Sequence, residues 1–168
     1  PVTGPSEPIS VGYTTQPVTR HVPSSAYPTI QSAVDASRSG DTVLVHPGLY
    51  RETNITVDGK AITIRSLNPE NPDVVAQTVI DCEDIWDFWS GESRRAFIFR
   101  NVGRNTILAG FTIRNAITFD DPERNSNTSV YPTGISGRDA AGGAIYLGNY
   151  AGASPILRNC VFENCRAH

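Results

Sequence analysis

Ala61-Ile-Thr-Ile-Arg-Ser66 decides the reading of this chain, because its chemistry returns twice at an interval of 49 residues. Ile62, Ile64 and Arg65 become Phe111, Ile113 and Arg114, and then Cys160, Phe162 and Glu163. The alternation is that of a strand, in which every second side chain faces one way. Ile62, Phe111 and Cys160 then share a face with Ile64, Ile113 and Phe162. Thr63, Thr112 and Val161 take the other face, followed by Arg65, Arg114 and Glu163. Equal spacing with like residues in one register is what a chain gives when it coils and lays each winding on the last. Ser66, Asn115 and Asn164 fall where each strand ends, so the interval also predicts a ladder of stacked polar side chains at the corner.

With Gly40-Asp-Thr-Val-Leu-Val-His-Pro-Gly-Leu-Tyr50, Gly110-Phe-Thr-Ile-Arg-Asn115 and Asn159-Cys-Val-Phe-Glu-Asn164, the chain resembles the secreted right-handed parallel β-helix proteins, the pectin-lyase-like superfamily. The likeness runs from about Tyr27 to Cys165. It implies an all-β solenoid of about three coils with a short N-terminal capping helix, and an extracellular or cell-surface location. It implies no single activity, because the superfamily holds lyases, hydrolases, esterases, adhesins and catalytically silent repeat proteins. The catalytic rungs of its lyases lie mid-helix, beyond the stretch covered here, so no catalytic residue is carried over.

The composition suits one domain: 168 residues, 39% hydrophobic, net charge -3. That charge leaves no electrostatic footprint for nucleic acid or an anionic membrane. No apolar run approaches the roughly 18 residues of a membrane span, and no signal-peptide pattern is present. A start at Pro1 without methionine reads as a processed or excised form. Cys82, Cys160 and Cys165 fit no zinc spacing and are too few for a disulfide scaffold. A Cys160 to Cys165 bridge needs a sharp bend, since five extended residues span about 16 Å.

Along the chain, residues 1–26 are rich in Pro, Ser and Thr and read as an extended arm, either a linker or a segment that lies along a neighbour. Tyr27 to Gly40 reads as a short amphipathic helix started by Pro28 or Thr29, with Ile30, Ala33 and Val34 as its apolar stripe and Gly40 at its end. Laid over the first winding, it would be the cap. Strands follow at 42–46, 54–57 and 61–66, then at 78–81, 95–100, 106–108 and 111–115, and finally at 142–146, 155–157 and 160–164. Two insertions leave the coil, 82–94 and 116–141. The last winding has no sequence assigned to cover it, so Val161, Phe162 and Glu163 are the candidate assembly residues, offered to another copy or to further coils of a longer chain.

The first insertion holds Trp86, Phe88 and Trp89, aromatics suited to stacking on sugar rings, and the same aromatics would equally fold back over the coil. Asp81, Glu83, Asp84 and Asp87 around them are candidate calcium ligands, calcium being the one metal this composition suggests; no other cofactor is implied. The later acidic residues Asp120, Asp121, Glu123 and Asp139 show no calcium-loop spacing. Arg65 and Arg114 are expected on adjacent rungs, where either an acidic substrate or Glu163 would relieve their repulsion. His21, His46 and His168 have no evident partner in the sequence. Asn54-Ile-Thr56 and Asn127-Thr-Ser129 match the glycosylation pattern. The preferred expectation is a non-catalytic extracellular module with a structural or self-assembly role. The alternative is the N-terminal part of a polysaccharide lyase, or another carbohydrate-active or carbohydrate-binding protein, with a polysaccharide as partner.

Overall fold

The computed structural model describes residues 16–83, 93–118, 143–148 and 153–167. It is predominantly β, and every pair of neighbouring strands in its sheets runs parallel. The chain visits the sheets in a repeating order. After β1 (Thr19–Val22) come β2 (Thr42–Val45), β3 (Gly48–Tyr50) and β4 (Ile55–Asp58), each in a different sheet. β5 (Thr63–Ser66), β6 (Thr78–Asp81) and β7 (Phe97–Arg100) repeat that order. A third round takes β8 (Ile107–Ala109), β9 (Thr112–Arg114), β10 (Ile117–Thr118) and β11 (Ile145–Gly148), and β12 (Ile156–Arg158), β13 (Val161–Glu163) and β14 (Arg166–Ala167) follow. The result is a five-stranded sheet β1-β2-β5-β8-β12, a four-stranded sheet β13-β9-β6-β3, a three-stranded sheet β11-β7-β4 and the pair β10-β14.

Parallel strands need their backbone groups paired and their inner faces covered; the ladders between strands do the first and one core does the second. Ile64 and Leu108 from the first sheet, Ile80 and Ile113 from the second, and Phe97 and Phe99 from the third belong to one buried cluster. Phe97 stacks on Phe99 at 5.7 Å and meets Phe111 edge-on at 6.4 Å. The corners are turned by residues in the left-handed region, where only glycine and asparagine are at ease. Gly59 and Asn101 follow paired strand ends, as do Gly110 and Asn159. At Gly110 the need is strict: φ is +82°, and a Cβ there would lie 2.3 Å from the Ser66 Oγ and 2.7 Å from the Pro69 Cα.

The register corrects the founding interval in its first half. Phe162 does lie opposite Ile113, and Glu163 opposite Arg114. Ile64, however, pairs with Leu108, and Ile113 pairs with Ile80. The true return from β5 is 44 residues, Thr63 to Ile107, so a step of 49 overshoots into β9 of the neighbouring sheet. Only the Gly110 corner separates β8 from β9, and both alternate alike, so composition could not tell them apart. Ser66 accordingly lies in register with Gly110, and no three-membered ladder with Asn115 and Asn164 forms.

The helix expected near residue 30 is α1 (Ile30–Ala36). Thr29 is its N-cap: the Thr29 hydroxyl accepts from the Ser32 N–H, and the Ser32 hydroxyl accepts from the Thr29 N–H. It ends at Ala36, short of Gly40, where the Ser37 N–H turns back to Val34 O. Ile30, Ala33 and Val34 are buried, as the stripe requires. A second helix, α2 (Pro72–Gln77), capped by Asn71 with proline at its start, lies between the strands expected at 61–66 and 78–81. The arm, too, is partly structured. Thr19–Val22 is extended as expected but pairs with β2, because Asp41 latches it through the Val18 N–H at 2.8 Å and the Arg20 guanidinium at 2.6 Å. Among the described residues no helix is long and apolar enough to cross a membrane.

Candidate functional site

The two ends of the stack are built differently. At the first end, α1 closes over the edge of β4. The Gln31 side chain acts as a substitute strand: its Oε1 accepts from the Thr56 N–H at 2.7 Å and its Nε2 donates to the Thr56 carbonyl at 3.3 Å. Glu52 accepts from the Ile30 and Gln31 N–H groups, at 2.7 and 3.1 Å, satisfying the helix start. Lys60 donates to the Val34 and Asp35 carbonyls at its other end, and Val22 from β1 joins the core.

At the other end the inward columns run out into the open. Tyr50, Ile80, Ile113 and Phe162 form one column, with exposures of 8, 0, 0 and 48%. Val57, Phe99 and Leu147 go from 0 to 47%, and Ile64, Leu108 and Leu157 from 0 to 38%. Val161 is 45% exposed and Glu163 is exposed beside it. The Val161 N–H bonds back to Phe111 O and the Glu163 carbonyl accepts from the Asn115 N–H. Strand alternation then points the Phe162 N–H and C=O away from the stack, and by the same logic those of Leu157. Sheet edges of this kind accept further strands.

A polar cluster sits on the outer face of the four-stranded sheet. The Arg114 Nε and Nη2 donate to one Asp81 oxygen, at 2.9 and 2.8 Å. The other oxygen accepts from the Asn115 amide at 2.9 Å and the Glu83 N–H at 3.1 Å. Burial pushes the Asp81 carboxyl up, but the hydrogen bonds from Asn115, Glu83 and Arg114 outweigh it and hold it below the usual carboxylate range. Asp81 is thereby committed to Arg114 and Asn115, and among the described residues no group of three or more His, Cys, Asp or Glu side chains converges. Beside Arg114 lies an open cavity of about 450 Å³, lined by Pro47, Gly48, Leu49, Gln77 and Val79.

Asp84 and Asp87, with Trp86, Phe88 and Trp89, lie outside the described residues, as does Asn127. Arg65 and Arg114 stand in different sheets, so the expected repulsion does not arise; the Arg65 Nη1 donates to the Ser66 and Leu67 carbonyls. Asn54, of the first glycosylation triplet, is a corner at φ 56° whose amide donates to Ser93 O and accepts from the Arg95 N–H. All three cysteines are free, and burial pushes the Cys82 thiol up to about 12. The structure also joins two histidines that the sequence left apart. His21 Nδ1 and His46 Nε2 are 3.0 Å from one another. The available signal was the pattern Thr19-x-x-Val22 against Thr42-x-x-Val45, which sets the two strands in register. Compared with known proteins, the chain matches no family model, no curated protein and no solved structure.

Proposed function

We propose that the chain is a right-handed parallel β-helix of the pectin-lyase-like kind that works outside the cell as a structural, self-assembling module. Its last round, β12 to β14, takes another copy of the chain or further coils of a longer one. The repeated order of strands through the three principal sheets supports the architecture. The observation that carries the assembly role is the column Tyr50, Ile80, Ile113 and Phe162, buried until its last member. Covering Phe162 and Leu157 would each contribute on the order of 1 kcal/mol, in addition to the pairing of the outward backbone groups. Sedimentation velocity on the 168-residue chain should show association that grows with concentration, and Phe162→Lys should remain monomeric with an unchanged circular dichroism spectrum. A wild-type chain that stays monomeric at every concentration contradicts the proposal, as does a Phe162→Lys chain that associates like the wild type.

A second reading draws on the open cavity beside Arg114, whose apolar lining of Pro47, Leu49 and Val79 bordered by the Arg114–Asp81 ion pair suits a sugar. It makes the chain part of a carbohydrate-binding or carbohydrate-active protein, with Trp86, Phe88 and Trp89 as stacking residues. A panel of uronate polymers tests it: Arg114→Ala and Trp89→Ala should each weaken binding, and unchanged binding in both removes the reading.

A further inference from the structure

The two histidines that face one another across the first two strands are not used by any part of the assembly proposal. His21 is exposed, His46 is partly so, and they lie 25 positions apart in the chain. Both backbones are pinned. His21 sits in β1 opposite Leu44, and the Asp41 latch holds that strand in place. The His46 N–H donates to Val22 O at 2.8 Å, and its carbonyl accepts from the Tyr50 hydroxyl at 2.6 Å. The rings approach with centroids 5.3 Å apart and planes inclined by 32°.

We propose that His21 and His46 form a two-imidazole site for a divalent transition-metal ion of tetragonal preference, Ni(II) or Cu(II). In the neutral pair, one facing nitrogen donates and the other accepts. Moving the donor's proton to the far nitrogen of its own ring leaves two lone pairs facing each other, and no net proton is lost. With metal–imidazole bonds of about 2.0–2.1 Å, nitrogens 3.0 Å apart subtend about 95° at a shared cation. That is a cis pair in a square-planar or tetragonal centre, narrower than the roughly 109° of tetrahedral zinc. A linear centre would need the nitrogens about 4 Å apart. Turning the rings from facing one another to converge on the cation takes only side-chain torsions, which at these positions are not locked in the core, and a cis centre asks for a smaller change in the nitrogen separation than a tetrahedral one. Since no third ligand of the His, Cys, Asp or Glu type joins them among the described residues, the remaining positions fall to water or to donor groups of an incoming molecule.

The site exists only while β1 lies on β2, so a bound cation stabilises that pairing by mass action. Isothermal titration of the 168-residue chain with Ni(II), which leaves the free thiols unoxidised, should give one site per chain. His21→Ala and His46→Ala should each weaken binding about 100-fold, since either substitution removes the second, intramolecular ligand. Ni(II) should raise the Tm of the wild type and leave that of both variants unchanged. Acid should weaken binding as protons compete for the imidazoles. In the wild type itself, paramagnetic broadening by Cu(II) should start at the imidazole signals of residues 21 and 46. Absence of binding, wild-type affinity in either variant, or broadening confined to His168 and the cysteines would overturn the site.

Discussion

Thr56 and Phe162 occupy equivalent places at opposite ends of the stack, each on an edge strand with its N–H and C=O turned outward. At Thr56 the Gln31 amide meets both groups, and α1 lays Ile30, Ala33 and Val34 over the core. At Phe162 no described residue does the same, and the ring that continues the column of Ile80 and Ile113 is half exposed. A parallel stack therefore closes an end by spending sequence on it. The first end uses a strand, a helix, Glu52, Gln31 and Lys60, whereas the last keeps the geometry of a middle round. An edge strand with that geometry accepts another layer, whether from a second copy or from further coils of the same chain.

The largest effect should separate neighbours in one column. Ile113→Ala removes a fully buried side chain and should cost about 2–5 kcal/mol in urea denaturation. Phe162→Ala, in the next strand of the same sheet, should cost the dissociated chain under about 1 kcal/mol. Equal losses would mean that Phe162 is covered after all. Next in size is the closed end itself. Gln31→Ala leaves the Thr56 groups unmet and should cost about 1–2 kcal/mol, and Glu52→Ala, which uncaps α1, a similar amount, measured by the same unfolding curves.

The smallest difference lies in the acid limb. The backbone N–H groups of Arg38 and Val18 hold the Asp41 carboxyl below its usual range, with Arg20 adding to them against the opposing effect of burial. A carboxyl that ionises more readily in the folded chain contributes fully above its unfolded value, near 3.9, and loses that contribution as the pH falls through its lower folded value. Asp41→Asn should therefore flatten the loss of stability below about pH 4 at the latched first end. An acid limb identical to that of the wild type would show that the latch does not depend on charge.

Local chemistry made much of this legible. Thr29 and the Ile30, Ala33, Val34 stripe announced α1, and Thr78 to Asp81 was readable as a strand from its β-branched residues. What stayed hidden was register. A step of 49 is right between β9 and β13 and wrong between β5 and β9, since the rounds differ in length and the alternating strands beside Gly110 look alike. The same limit hid β1, whose pairing rests on an aspartate 21 and 23 positions from its two partners. It also hid the histidine pair, for which the match of Thr19-x-x-Val22 to Thr42-x-x-Val45 was a signal only once β1 was known to pair with β2. The Asp81 and Arg114 pairing depends on the β6 to β9 register and was out of reach for the same reason. Val161 and Phe162 were legible as surface candidates because they required only that the last strand have no cover.

Amide hydrogen exchange, resolved by residue and run from dilute to concentrated protein, tests the contrast between the two ends most directly. The account predicts a Thr56 amide that is slow at every concentration, and a Phe162 amide that is fast in dilute solution and slows as copies associate. A Phe162 amide already as slow as that of Ile113 in the dilute monomer, or one that stays fast while the chain assembles, would contradict it.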